Sequence, residues 1–124
     1  MIFAKRLYLI AGIYGLIVLV PQFFIETKTG QDFPPAITHP EFYYGFVGVA
    51  VAWQVLFLIL AKDPPRYRPM MIPATLEKVV FGLAVVALYL QHRVSTFLLC
   101  FGTVDLILGA LFVTAYAETK DGSE

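Results

Sequence analysis

Asp105 is the residue of this sequence with the most chemistry to offer. It stands at the centre of an apolar run over residues 94–116, with eleven residues on either side. A carboxylate there costs about 2.5–3.5 kcal/mol on insertion scales, so it must face a protein interior, pair with a donor or carry a proton. Gly102 and Gly109, three residues before it and four after, place it on a face of small residues that another helix approaches closely. Two readings follow from the residue alone. Asp105 is a buried pin that fixes helix register through a hydrogen bond, or it is a carboxylate that binds a ligand or moves a proton.

Partners for Asp105 are ranked by depth. Gln54 lies 12 residues from Phe42 and Asp105 lies 11 residues from Val94, which puts them within about one residue rise of the same level if their helices run the same way. Trp53 offers an indole donor in the same layer, although neighbours on a helix point in different directions. Lys78 sits nearer one surface, about 9 Å in from Ile72 against about 16 Å for Asp105 from Tyr116, a gap that a lysine side chain largely spans. A salt bridge to Lys78 is one expectation; an ammonium that snorkels to the headgroups is the other. Glu77, beside Lys78, is read first as a first-turn carboxylate favoured by the helix dipole, and second as an acid/base group linked to Asp105.

Other reactive side chains carry less. His39 and His92, with Asp32 and Glu41 near the first of them, fit no zinc spacing, and the sequence assigns no metal. Cys100 is the single cysteine. It excludes an internal disulfide and reads as a small buried hydrophobe. Lys62, Arg66, Tyr67 and Arg68 form a basic and aromatic cluster that suits anionic headgroups, but orientation in a membrane requires such cations in any case.

The elements that position these residues are apolar. Hydrophobic residues make up 59% of the 124 and charged residues 15%, against about 45–50% and about 25% in ordinary soluble domains. Four runs, over residues 7–25, 42–61, 72–90 and 94–116, each hold enough residues to cross about 30 Å of hydrocarbon as an α-helix, the only open-ended element that satisfies its own amides in lipid. The expected fold is all-α, an integral membrane bundle of four transmembrane helices in one domain over residues 1–124. The third run is the weakest, since Glu77 and Lys78 interrupt it; Pro73 suits the first turn of a helix there. The segments 26–40 and 62–71 are proline-containing connections, not helical throughout. The first run lacks the small-residue cleavage pattern of a secretory signal and reads as a retained anchor.

Charge gives the orientation. Lys5, Arg6, Lys62, Arg66, Arg68, Lys78 and Lys120 fall on one side of a four-span arrangement and Lys28 and Arg93 on the other. Cytoplasmic loops retain cations, so both termini are expected in the cytoplasm. The net charge of zero leaves no field that would gather nucleic acid. Tyr8, Phe23, Phe24, Tyr43, Tyr44, Tyr67 and Tyr116 lie near span ends, as an interfacial aromatic belt requires. Small residues, Ala11, Gly12 and Gly15 in the first span and Gly45, Gly48 and Ala52 in the second, imply close helix packing, within the chain, with a second copy or with a partner protein.

In size, in its four-span plan and in the runs PATLEKVVFGLAVVALYLQHR and FGTVDLILGALFVTAY, the chain resembles the small uncharacterised bacterial four-helix membrane proteins called DoxX-like. The resemblance covers most of the chain in outline and carries over no catalytic residue. It implies an inner-membrane bundle, and the association of some relatives with quinone or thiol oxidation implies a redox partner. The residues themselves supply no haem or flavin signature, and no cofactor is assigned. The sequence therefore reads as an accessory or interaction protein of the inner membrane. The alternative is a membrane enzyme or binder of a lipid-like or quinone-like molecule, with Asp105, Glu77, Gln54, Trp53 and Lys78 as its candidate site.

Overall fold

The four apolar runs do form helices. A computed structural model describes residues 2–119; Lys120, one of the cations counted for the orientation, lies outside them. Helix α1 (Ile2–Leu19) runs into a 3-10 turn (Val20–Phe24), where Pro21 lacks the amide that an α-helical continuation would use. A short α2 (Glu26–Asp32) follows, then α3 (Pro40–Lys62), a 3-10 turn (Arg68–Met70), α4 (Met71–Leu90) and α5 (Thr96–Glu118). The chain is all-α, with four segments of 23 residues, Ile2–Phe24, Pro40–Lys62, Arg68–Leu90 and Thr96–Glu118, long and apolar enough to cross a membrane. At about 1.5 Å per residue each reaches about 34 Å.

Several boundaries differ from the sequence expectation for physical reasons. Helix α1 starts before residue 7, so Lys5 and Arg6 belong to its opening turns, where long basic side chains stay wet while their stems pack. Glu77 is not in a first turn: α4 opens at Met71 and has no acid in its first turn, so the dipole no longer accounts for this carboxylate. At the other end of α4, His92 adopts a left-handed φ of 59°. Its amide bonds to Tyr89 O at 2.9 Å and that of Arg93 to Leu88 O at 2.9 Å, the paired closing bonds of a Schellman terminus. Ser95 then starts α5 by accepting from Leu98 N at 3.2 Å.

Packing is organised as two antiparallel pairs, α1 with α3 and α4 with α5, and glycines set their spacing. A Cβ on Gly12 would lie 2.7 Å from Leu58 Cδ2, and one on Gly15 would run into the Gln54 carboxamide. On the other pair, a Cβ on Gly102 would lie 2.8 Å from Val85 and one on Gly109 3.0 Å from Val79. Gly45 and Gly48 differ, with no heavy atom within 4 Å of a Cβ at either position; the small-residue face of α3 is open rather than packed within the chain.

The two pairs meet in a shared core in the half of the bundle that holds the N terminus. Tyr8 stacks on Phe112 with centroids 4.3 Å apart, and Phe57 meets Phe112 edge-on at 5.3 Å. Tyr8 is thus a core residue with no exposure, not a belt residue. Arg68 closes this end, donating through Nε and Nη2 to Tyr116 O at 3.2 and 3.0 Å, with its guanidinium 3.7 Å from the Tyr116 ring centroid. A cation on the last carbonyls of α5 is favoured by the helix dipole. At the opposite end, Tyr43 donates to Gln22 O at 2.7 Å and Tyr44 to Glu26 Oε1 at 3.0 Å, tying the α1–α2 corner to α3.

Candidate functional site

The antiparallel register of α4 and α5 brings Lys78 and Asp105 together. A Cβ on Gly109 would lie 3.6 Å from Lys78 Cβ, which sets these two positions level. The lysine stem then reaches one turn along α5, and Nζ stops 3.4 Å from Asp105 Oδ1. Glu77 completes the cluster, with Oε2 3.7 Å from the same ammonium. At that distance it is an ion-pair contact, not a hydrogen bond.

Lys78 is enclosed by protein, at 3% exposure, and does not snorkel to the headgroups. Its Nζ also lies 5.3 Å from the centroid of the Phe57 ring. A ring face and two carboxylates provide the surroundings that an ammonium needs away from water. Asp105 and Glu77 keep side-chain exposures of 13% and 18%. Two acids share one base, so the cluster balances its charge only when one carboxyl holds a proton or a further cation joins it. The arrangement can hold a proton, donate or accept a hydrogen bond, and clamp two helices.

Gln54 lies elsewhere. It is buried at 1% exposure, Nε2 donates to Ala50 O at 2.8 Å, and its carboxamide fills the space left by Gly15. It makes no hydrogen bond to Asp105 among the described residues. Equal depth is necessary for a contact, but the azimuth of Gln54 turns it to α1. Trp53 is half-buried against the shared core. Of the five candidate residues, Lys78, Glu77 and Asp105 form one cluster, while Gln54 and Trp53 stand outside it.

No protein-family model, curated protein or solved structure matches the chain.

The remaining sequence candidates have structural surroundings of their own. His39 Nδ1 lies 3.2 Å from Glu41 Oε1 and its ring stacks on Phe42 at 5.0 Å, while His92 terminates α4. Among the described residues, no three His, Cys, Asp or Glu side chains gather as a metal would require. Cys100 is exposed on the outside of α5 rather than buried. Sequence reasoning missed Phe57 as a neighbour of the charged cluster. Phe57 stands one turn from Gln54 on α3, and this spacing was the available signal. Among the described residues, the buried polar atoms without a hydrogen-bond partner are Tyr8 OH, Gln54 Oε1, Glu77 Oε2 and Thr119 Oγ1.

Proposed function

We propose that this chain is a small multi-pass protein of the inner membrane, with both termini in the cytoplasm, acting as a non-enzymatic accessory or interaction protein of the DoxX-like kind. The observation that carries this reading is the engagement of Asp105 by Lys78 at 3.4 Å: the most reactive residue of the membrane interior is used to join α4 to α5. The open face at Gly45 and Gly48 supports it further, since lipid-phase association relies on close backbone approach. The orientation rests on Lys5, Arg6, Lys62, Arg66 and Arg68 at the end of the bundle that holds the N terminus. Native mass spectrometry of protein gently extracted from its own membrane tests the role. A stoichiometric partner, another protein or a second copy, is expected; a bare monomer overturns the reading.

One observation favours a second reading, a binder of a lipid-like or quinone-like molecule. Among the described residues Glu77 Oε2 has no hydrogen-bond partner, and the cluster keeps one carboxylate more than its lysine neutralises. In that case the same spectrum carries a retained small molecule, and Asp105→Asn loses it while the helices stay folded.

A further inference from the structure

The end of the bundle opposite the N terminus carries an open hollow of about 470 Å³ between the α1–α2 corner and α3. Two of its walls are aromatic: the Phe23 and Tyr44 rings lie 6.4 Å apart and 15° from parallel. Glu26 stands beside them, with Oε1 held by the Tyr44 hydroxyl and Oε2 without a hydrogen bond among the described residues. Lys28 is also part of the lining. Its only close partner among the described residues is Asp32, at 3.0 Å in an exposed pair, the kind of pair that exchanges readily. Phe24, 82% exposed, belongs to the same lining and closes the first membrane-spanning segment. The hollow therefore sits where hydrocarbon gives way to headgroups.

The geometry points to a binding site for one zwitterionic phospholipid headgroup, its ammonium against Glu26 and the rings of Phe23 and Tyr44, its phosphate at Lys28 and its acyl chains along Phe24. Aromatic faces and a carboxylate both favour a cation. A headgroup that carries an ammonium and a phosphate together answers Glu26 and Lys28 at once. An anionic headgroup without an amine meets Glu26 with like charge, which acts against the wrong lipid. The two tyrosine bonds at Gln22 and Glu26 hold the corner in place before a lipid arrives, so little ordering remains to be done on binding.

The test is lipid retention by the full-length protein in detergent, read by native mass spectrometry during titration with phosphatidylethanolamine or phosphatidylglycerol of identical acyl chains. Phosphatidylethanolamine is expected to bind about threefold more tightly, the scale of an exposed ion pair. Glu26→Gln removes this preference, whereas Glu41→Gln, a carboxylate at the same end, leaves it unchanged. Circular dichroism matching that of the parent chain establishes that each variant is folded. Equal retention of the two lipids by the parent chain, or a preference that survives Glu26→Gln, overturns the assignment. Tyr44→Phe, which keeps the carboxylate but frees it from its tether, weakens phosphatidylethanolamine retention by about twofold; unchanged retention removes Tyr44 from the site.

Discussion

Lys78 and Asp105 are joined across α4 and α5 by a 3.4 Å contact between Nζ and Oδ1, with the lysine enclosed and Glu77 Oε2 on its other side at 3.7 Å. Removing the base strands two acids in a weakly polar interior. Lys78→Met should therefore lower stability by about 3–5 kcal/mol, the usual result of breaking a buried pair from one side. Lys78→Met combined with Glu77→Gln and Asp105→Leu should recover most of the loss. Denaturant titration in micelles, followed by circular dichroism, measures both; a single variant as stable as the parent chain contradicts the clamp.

Glu77→Gln separates the two acids. It leaves one carboxylate for one ammonium, so stability should stay within about 0.5 kcal/mol of the parent chain or rise, because the surplus charge is gone. A loss of 2 kcal/mol or more, on the order of a buried charged hydrogen bond, would make Glu77 the principal partner of Lys78.

The glycines divide into two groups with opposite expectations. Gly15→Ala drives a methyl into the Gln54 carboxamide and should cost about 1–3 kcal/mol, as overpacking does. Gly48→Ala meets open space and should gain up to about 1 kcal/mol in the monomer through helix propensity. Thermal unfolding of the two variants side by side checks the contrast. If a second chain covers α3, Gly48→Ala should in addition shift the oligomer distribution.

Much of this architecture was legible in advance because hydropathy and the span of a bilayer act on whole segments of about 20 residues. The depth estimate for Lys78 and Asp105 also had a sound basis, since rise per residue converts sequence position into height. Azimuth was harder to read. Gln54 has the right height but turns to Gly15, and Tyr8, placed by its position near a span end, faces inward to Phe112. Glu77 differs for another reason: the expected start at residue 72 lies within one residue of the observed Met71, but a side chain five positions in is already past the first turn, where the dipole acts.

His92 gives a test that is independent of the polar cluster. Its φ of 59° is strained for a residue with a side chain by about 1–2 kcal/mol, so His92→Gly should stabilise the turn by about 1 kcal/mol and His92→Val should weaken it. Thermal unfolding in detergent reads the sign directly.

Orientation can be tested with single cysteines in a Cys100→Ser background, placed at Lys28 and at Arg66. A membrane-impermeant maleimide applied to intact cells should label the first position and spare the second, as the distribution of cations predicts. The reverse pattern inverts the topology.

The turn between α4 and α5 occupies only residues 91–95, and its brevity bears on how the chain enters a membrane. Considered alone, α4 offers the insertion machinery a stretch from Val79 to Leu90 without charge, too short to cross on its own, preceded by an acid and a base that each resist lipid. The carboxylate nearest to Lys78, that of Asp105, is carried by the next segment to be synthesised, 27 positions later. Entry of α4 and α5 together, as a hairpin, would bring Lys78 to Asp105 before either side chain had to face hydrocarbon alone.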